Sequence, residues 1–234
     1  MNILIVIPTY NEALNVEKLV NEIKNNLQDE RFSILFVDDN SNDGTIDLIN
    51  KLKQENSNIH LLQRPSKMGL ASAYIDGFQY GIENGYEYFI QMDADFSHNP
   101  VYLPKFFDAF KSNDLIIASR NIKGGAVKNW GILRNLISKG GSLYSKIILN
   151  VPYCDLTGGF NGWSKEILQK IDLNKVISKG FSFQIEMKYR AYKNKANALE
   201  FPIIFEDRKF GQSKMNKSIF LEALLNVLKI RFMV

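Results

Sequence analysis

Two carboxylates separated by one small residue, in the triplet Asp93-Ala94-Asp95, follow directly after the apolar segment Tyr88–Met92. Alternate side chains of an extended chain point to the same side, so both carboxylates can face one cation. Such a pair suits Mg²⁺ or Mn²⁺, which prefer oxygen ligands and often share the phosphates of a substrate. An isolated acidic pair after a strand is also typical of a solvated turn, so the spacing alone leaves both interpretations open.

Two further polar clusters occur at corresponding places along the chain. Pro8–Glu12 follows the apolar run Ile3–Ile7, and Asp38–Asp43 follows the run Ile34–Val37. The carboxyl ends of parallel strands meet at one edge of a sheet, and ligands bind outside that edge. The three clusters together therefore predict an active-site edge whose centre is the acidic triplet.

Apolar runs of strand length alternate with segments of helical periodicity in the first half of the chain. Strands are predicted at 3–7, 34–37, 59–63, 88–92 and 115–119, with a late strand at 199–205. Helices are predicted around 19–27 and at 45–53, 70–80, 132–149 and 183–192. This alternation predicts right-handed crossovers and an α/β fold with a doubly wound, mostly parallel sheet.

The composition argues against several classes of protein. The 234 residues include one cysteine and two histidines, too few for the usual nitrogen and sulfur ligands of zinc. The net charge of +4 gives no argument for nucleic acid, and we expect no such partner. Neither a G-x-G-x-x-G sequence after the first strand nor a P-loop sequence is present, which disfavours NAD-dependent enzymes and P-loop kinases.

The C-terminal segment is largely apolar, with Glu222, Asn226 and Lys229 at helical spacing. A helix of roughly 16 residues is about 24 Å long, shorter than a hydrocarbon core of about 30 Å. We expect 1–217 to form the catalytic domain and 218–234 to form an amphipathic helix. That helix could lie in a membrane interface, or it could pack on the domain or on a partner, and the sequence leaves these alternatives open.

Four basic residues stand out by their positions after predicted elements or late in the chain. They are Arg120, Arg134, Arg208 and Lys214. The guanidinium group of arginine can donate two parallel hydrogen bonds to a phosphate. Taken singly, each of these residues is more typical of a solvated surface charge than of a phosphate ligand.

Several segments resemble the family 2 inverting glycosyltransferases. The strongest matches are Ile7–Glu12, Val37–Thr45 and Asp93–His98. Segments 119–120, 155–160, 183–187 and 211–215 are similar to the polyprenol-phosphate (dolichol-phosphate) mannose synthase branch of that family. The resemblance covers nearly the whole chain and implies a GT-A type fold, in which a nucleotide-diphosphate sugar binds at the sheet edge.

The resemblance implies a donor site with a divalent cation. Asp93 and Asp95 would bind the donor diphosphate through Mg²⁺ or Mn²⁺, with Asp95 a direct ligand. Ser97 stands where the family often has glutamine, so it would be at most a weak ligand. The guanosine of GDP-mannose would contact Pro8, Tyr10, Glu12 and Asp39.

The basic residues receive phosphate-binding roles from the same resemblance. Arg120 and Arg134 would bind the phosphate of the lipid acceptor and, with Asp95, would carry the catalysis. Arg208 and Lys214 would neutralise the donor diphosphate or close a loop over it.

The chemistry of the implied acceptor agrees with the scarcity of histidine. A polyprenyl phosphate is already anionic at neutral pH, because the second pKa of a phosphate monoester is near 6. Its oxygen needs no general base, only cations that orient it in line with the leaving group. The resemblance thus implies a hexosyltransferase that converts GDP-mannose and a polyprenyl or dolichyl phosphate, with inversion, to polyprenyl-phosphate β-mannose and GDP. It implies a peripheral position on the cytoplasmic face of a membrane, with room for a membrane-anchoring partner.

Three alternatives remain open from the sequence. The same reaction class could use UDP-glucose or another sugar nucleotide, since base selectivity depends on few contacts. The chain could be a non-catalytic nucleotide-binding scaffold in a membrane complex, although Asp93, Asp95, Arg120 and Arg134 argue against this. A nucleotidyltransferase is disfavoured, because no glycine-rich phosphate loop with a basic residue occurs near the first strand.

Overall fold

The computed structural model describes residues 1–28, 31–206 and 217–233. The strands are β1 (Ile3–Thr9), β2 (Phe32–Asp38), β3 (Ile59–Gln63), β4 (Tyr88–Gln91), β5 (Leu115–Ser119), β6 (Ala126–Lys128), β7 (Asn161–Ser164), β8 (Ala198–Pro202) and β9 (Ile204–Glu206). The helices are α1 (Ala13–Asn26), α2 (Thr45–Glu55), α3 (Leu70–Glu83), α4 (Leu103–Ala109), α5 (Ile132–Leu149), α6 (Lys165–Ile171), α7 (Phe181–Lys193) and α8 (Lys217–Met233). Short 3₁₀ helices cover Pro100–Tyr102 and Leu173–Lys175.

The main sheet has seven strands in the order β3-β2-β1-β4-β7-β5-β8, and its neighbours are parallel except where β7 pairs with β4 and β5. The doubly wound, mostly parallel sheet expected from the sequence is therefore confirmed. Parallel strands buried by helices on both faces read as continuous apolar runs, and Ile3, Leu4, Ile5, Val6 and Ile7 of β1 are all fully buried.

Two features of the sheet differ from the sequence-based prediction. The antiparallel strand β7 was not predicted, because Asn161-Gly162-Trp163-Ser164 has no apolar run or alternation. The late strand predicted over 199–205 is divided at Ile203, whose backbone N–H donates to Ser119 and whose carbonyl accepts from Ala126. At Ile203 the chain leaves strand β8 of the main sheet and enters strand β9, which forms a small parallel sheet with β6.

The carboxyl ends of β1, β2 and β4 lie side by side, as the positions of the polar clusters predicted. Thr9 is the register partner of Asp38, and the Thr9 hydroxyl donates to the Asp38 carboxylate at 2.7 Å. Strand β4 ends one residue before Met92, whose backbone N–H donates to Val6 of β1. The acidic triplet therefore leaves the sheet next to the end of β1.

Helix α3 packs unusually close to the sheet because glycines face the strands. A Cβ atom at Gly77 would collide with Val6 Cγ1 and would lie 3.2 Å from Val37 Cγ2. A Cβ atom at Gly81 would meet the buried side chains of Phe89 and Leu4. This close approach brings the N-terminal end of α3 to the sheet edge that carries the acidic clusters. Gly69 directly precedes the helix there, and Leu70 is its first residue.

The C-terminal helix expected from the sequence is present as α8, which packs against α5 and α7. Val227 and Ile230 are buried in that contact, and Arg231 donates to the Leu149 carbonyl and the Tyr189 hydroxyl. Apolar residues also occupy the outward side of α8, where Phe232 is 85% exposed. Within the described part of the chain, no helix is both long and apolar enough to cross a bilayer.

We predict that Gly77→Ala lowers the free energy of unfolding by about 1–3 kcal/mol, because its methyl group overpacks a rigid β-branched contact. The matched variant Gly140→Ala lies in the interior of α5, where an added Cβ has open space. It should raise the free energy of unfolding by about 0.5–1 kcal/mol, since alanine is the better helix former. Urea titrations of the two variants measure both values, and equal stabilities would contradict the close helix–sheet packing.

Candidate functional site

One large cleft of about 510 Å³ begins at the carboxyl ends of β1, β2 and β4 and continues between α5, α7 and α8. Among the described residues, most of the side chains singled out from the sequence line it: Pro8, Tyr10, Glu12, Asp39, Asp93, Asp95, Ser97, Arg120 and Arg134. The cleft therefore brings together residues that are up to 126 positions apart in the chain. Arg208 and Lys214 lie outside the described residues.

The end of the cleft beside β1 and β2 carries the residues expected at the nucleoside. Glu12 accepts from the Asn15 amide at 2.7 Å, which anchors its carboxylate at the start of α1. Tyr10 is half-exposed, and Lys67 Nζ lies 3.7 Å from the centroid of its ring. Lys67 was not singled out from the sequence, because the loop that carries it has no chemical motif of its own. The pair forms a cationic and aromatic wall suited to a nucleobase.

The neighbouring aspartates Asp38 and Asp39 have different surroundings. Asp38 is fully buried and accepts from Thr9 and from the backbone and side chain of Ser41, so it holds the turn. Asp39 lines the cleft, forms an ion pair with Arg64, and accepts from the Gly69 N–H at 3.0 Å. Only the second aspartate of the pair can therefore reach a ligand in the cleft.

Arg64 was missed by the sequence reasoning, although it is more deeply buried than Asp39 and Asp76, with which it pairs. Its guanidinium pairs with Asp39, lies 3.2 Å from Asp76, and donates to Ser72 and to the Gly69 carbonyl. These bonds fasten the start of α3 to the turn after β2. Arg64 therefore orients Asp39 toward the cleft.

The acidic triplet is held by hydrogen bonds from three directions. Tyr74 donates from α3 to Asp93 Oδ1 at 2.7 Å, and the Asp93 N–H donates to His98 Nδ1 at 2.9 Å. Asp95 Oδ1 accepts from the Ser97 N–H at 3.0 Å. Phe96, which lies between Asp95 and Ser97, adopts a left-handed backbone conformation. This conformation tightens the turn, and both carboxylates border the cleft.

Burial sets the protonation of the groups around the triplet. Burial, followed by the adjacent charge of Asp93, raises the pKa of Tyr74 well above its ordinary value, so Tyr74 remains a donor. Burial lowers the pKa of His98 despite the carboxylates of Asp93 and Asp95, so the imidazole is neutral at pH 7. Because Nδ1 accepts from the backbone, the proton of His98 resides on Nε2.

The residues at this place fit a hard divalent cation that is completed by substrate oxygens. Asp93 and Asp95 offer carboxylate oxygens to the cleft, and the largely buried Ser97 also lines it. Within the described chain, no group of three or more His, Cys, Asp or Glu side chains could hold a metal ion by itself. A cation bound here would therefore take its remaining ligands from a diphosphate or from water.

Arg120, at the end of β5, is fixed by a buried carboxylate. Asp155 Oδ2 accepts from the Arg120 N–H and Nε at 2.9 and 2.8 Å, and Asp155 Oδ1 accepts from Nη2 at 2.7 Å. Burial alone would raise the pKa of Asp155, but the charge and hydrogen bonds of Arg120, together with Lys188, hold that pKa well below its usual range. Asp155 is therefore ionised at neutral pH.

The second arginine, Arg134 of α5, lies against an aromatic pair. Its guanidinium carbon is 4.0 Å from the centroid of Trp130, whose ring meets Phe205 edge to face at 5.4 Å. The guanidinium of Arg120 is 5.7 Å from the Trp130 ring and 5.5 Å from that of Phe205. Two guanidinium groups thus lie near one indole in the cleft, and this arrangement suits an anionic ligand.

Neither Trp130 nor Phe205 was indicated by a sequence pattern, because both come from irregular or edge segments that converge only in the folded chain. The Trp130 indole N–H is buried and has no hydrogen-bond partner among the described residues. A buried, unpaired donor between two cations is available to an anionic or hydroxylic ligand.

Beyond the arginines the cleft becomes apolar. Its walls there include Ile137 and Tyr144 of α5, Ile185 of α7, and Leu224 and Val227 of α8. These side chains provide a surface on which a hydrocarbon chain could pack without desolvating charged groups. The cleft therefore passes from carboxylates through guanidinium groups to hydrocarbon along its length.

The fold occurs in solved glycosyltransferases. The crystal structure of glucosyl-3-phosphoglycerate synthase from Mycobacterium tuberculosis, in complex with Mn²⁺, UDP and glucosyl-3-phosphoglycerate, superposes with a TM-score of 0.71. It is 13% identical, and the match covers 99% of this chain and 80% of that one. At this identity the similarity concerns the fold, and it confirms the GT-A type architecture.

Sequence relatives and a family model carry the comparison further. Undecaprenyl-phosphate mannosyltransferase of Micrococcus luteus is 39% identical over 227 residues, which cover 97% of this chain and 93% of the relative. Polyprenol monophosphomannose synthase of Mycolicibacterium smegmatis is 41% identical over 226 residues, which cover 96% and 84%. Residues 4–172 match the model of glycosyl transferase family 2. The chain therefore belongs to glycosyl transferase family 2, as its motifs predicted, and is a glycosyltransferase.

Proposed function

We propose that this chain transfers mannose from GDP-mannose to a polyprenyl phosphate, with inversion at the anomeric carbon. The observation that carries the proposal is the order of chemistry along one cleft: Asp93 and Asp95, then Arg120 and Arg134, then an apolar groove. This order matches a donor diphosphate, an acceptor phosphate and a prenyl chain. The two relatives at 39% and 41% identity, named for mannosyl transfer to polyprenyl phosphates, support the same assignment.

The reaction is a single displacement at the anomeric carbon. An oxygen of the acceptor phosphate forms a bond to C1 of mannose, while the bond from C1 to the β-phosphate oxygen of GDP breaks and its electron pair leaves with GDP. One displacement turns an α-linked donor into a β-linked product. Because the acceptor oxygen is anionic at neutral pH, no side chain has to remove a proton from it.

The arginines orient the acceptor and balance its charge. Asp155 and Thr157 engage Nε and Nη2 of Arg120, and this fixed geometry lets the guanidinium meet a phosphate without first becoming ordered. Arg134 approaches the same space from α5, stacked on Trp130. Catalysis therefore rests on positioned cations and not on a general base.

The carboxylates of Asp93 and Asp95 hold the donor diphosphate indirectly. When bound between them and the diphosphate, Mg²⁺ or Mn²⁺ would neutralise the negative charge that GDP gains on leaving. Tyr74 and the backbone of Ser97 keep the two carboxylates in place for that purpose. Asp39, Glu12 and the wall of Tyr10 surround the position left for the nucleoside.

The acceptor is a lipid, and two neighbouring helices offer a surface for its membrane. On α5, Leu136, Leu143 and Ile147 recur at spacings of seven and four and are 59–67% exposed. Exposed apolar residues on the adjacent α8 include Leu225 and Phe232. Exposed apolar faces of helices bind the interface of membranes. We therefore propose that the protein lies peripherally on the cytoplasmic face of a membrane.

We predict that the protein, incubated with Mn²⁺ or Mg²⁺ and undecaprenyl phosphate, forms labelled glycolipid from radioactive GDP-mannose. UDP-glucose should give product at a rate at least tenfold lower, and undecaprenol, which lacks the phosphate, should give none because the arginines have no anion to bind. The one-bond carbon–proton coupling of the purified product at C1 reports the β configuration. An α product, or no product while the Micrococcus luteus relative is active in the same assay, would contradict the proposal.

We predict that Asp95→Asn lowers kcat/KM by a factor of about 10²–10³, because an amide is a poor cation ligand and less charge on the leaving GDP is neutralised. The amide oxygen can still accept from the Ser97 N–H, so the turn should fold as before. Calorimetry should show that Mn²⁺ no longer strengthens GDP binding. The matched control is Asp108→Asn, at an exposed aspartate of α4 that pairs with Lys111. A similar loss in that variant would exclude a specific role of Asp95.

We predict that Leu143→Ser combined with Ile147→Ser lowers binding to vesicles of anionic phospholipid at least tenfold. Each side chain contributes about 1.5–3 kcal/mol when it is fully transferred out of water. Flotation of the protein with vesicles measures the bound fraction. Leu14→Ser, at a leucine of α1 that is 74% exposed, is the control and should leave flotation unchanged. Equal binding of the double variant and the control would remove α5 from the membrane contact.

A further inference from the structure

Lys188 of α7 is a lysine with no exposed surface, and it does not line the cleft. Its ammonium group donates to the backbone carbonyls of Asp155 and Gly158 at 2.8 Å each, and the Leu156 carbonyl lies 3.5 Å away. Lysine is among the residues that are rarely buried completely without a partner. Three carbonyl oxygens around three N–H donors account for its presence in the interior.

The buried charge has a cost, and the fold tolerates it. Burial lowers the pKa of Lys188 to about 8, although the nearby carboxylate of Asp155 acts in the opposite direction. At neutral pH the group is still an ammonium ion. A methionine-like side chain would fill the same space without that cost, so the retained charge calls for a specific role.

That role is found in the turn which the ammonium group closes. Residues 155–158 fold back so that Gly158 N–H donates to Asp155 Oδ1 at 2.9 Å and the carbonyls of the turn converge on Lys188. Carbonyl dipoles that point at one place repel one another unless a cation lies between them. The ammonium ion of Lys188 therefore holds the turn in its observed shape.

The same turn carries both residues that fix Arg120. Asp155 engages the backbone N–H, Nε and Nη2 of Arg120, and Thr157 Oγ1 accepts from Nη2 at 2.9 Å. A second support comes from Glu200, whose carboxylate accepts from the backbone N–H groups of Cys154 and Asp155 at 2.8 and 3.0 Å. A change in the turn would therefore reach the guanidinium of Arg120 directly.

We infer that Lys188 is a positioning residue for acceptor binding: by closing the turn of residues 155–158, it fixes Asp155 and, through Asp155, the guanidinium of Arg120. The inference rests on the proposed function in one respect, the binding of the acceptor phosphate by Arg120. It assigns no contact between Lys188 and either substrate. Its effect should therefore concern the acceptor and leave the donor site unchanged.

The test compares Lys188→Met, Arg120→Met and the double variant by steady-state kinetics with undecaprenyl phosphate and GDP-mannose. Methionine keeps the length of the side chain and removes the ammonium group. In Lys188→Met we expect the KM for undecaprenyl phosphate to rise at least tenfold, while the KM for GDP-mannose changes less than twofold. In the double variant we expect an acceptor KM no higher than in Arg120→Met alone, because both changes act through one guanidinium group.

A purely structural role would give a different pattern. Leu168→Ala removes a fully buried side chain of α6, the helix that packs against α7. This control should lower Tm at least as much as Lys188→Met and leave both KM values unchanged. If Arg120→Met raises the acceptor KM, three results would overturn the inference: an unaltered acceptor KM in Lys188→Met, an equal rise in both KM values, or additive effects in the double variant.

A crystal structure of Lys188→Met separates this inference from the proposed function. We expect the turn of residues 155–158 to be displaced and at least one bond between Arg120 and Asp155 to be lost. Retention of all three bonds would overturn the positioning role whatever the kinetics show. If the bonds are lost but Arg120→Met itself leaves the acceptor KM unchanged, Lys188 still positions Arg120, and it is the assignment of Arg120 to the acceptor phosphate that fails.

Discussion

A buried ion pair joins the two halves of this chain. Arg120 directly follows strand β5, whereas Asp155 belongs to the loop before the antiparallel strand β7. Hydrogen bonds from the backbone and the guanidinium group of Arg120 connect the two residues. Removing one partner of such a pair costs about 3–5 kcal/mol, because the other charge is left buried and uncompensated. The loop and the strand therefore keep one relative position, and the cleft depends on it: on one side lies the acidic edge of the sheet, on the other the groove between α5, α7 and α8.

Each part of the cleft is supplied by the kind of structure best suited to it. Carboxylates come from the turns after parallel strands, where side chains such as Asp93 and Asp95 leave a buried sheet for an open edge. The guanidinium group of Arg120 is held by a buried carboxylate and that of Arg134 lies against an indole, so both are ordered before an anion binds. The apolar part comes from side chains of α5, α7 and α8 that line the groove between these helices. A substrate with a charged head and a hydrocarbon tail would meet these parts in order.

The regular part of the fold was accessible from local sequence. The strands over 59–63 and 115–119 and the helix over 132–149 have the predicted bounds, because runs of apolar residues and helical periodicity are local properties. The antiparallel strand β7 was missed, since Asn161–Ser164 becomes a strand only when β4 and β5 are already on either side of it. The division at Ile203 was missed for a related reason: its backbone groups bond to two different sheets, which no pattern within the segment indicates.

By itself the sequence determined the family, the sheet edge and the acidic centre of this protein, because parallel strands bring the residues that follow them to one edge whatever their separation in the chain. The tertiary structure decided which of two adjacent aspartates faces the cleft, since burial and hydrogen bonds assign Asp38 to a turn and Asp39 to the site. It also decided that Trp130 lies between the two arginines and that Lys188 supports one of them. Such contacts join residues that share no local sequence pattern, and only the packing of the folded chain brings them within a few ångströms of each other.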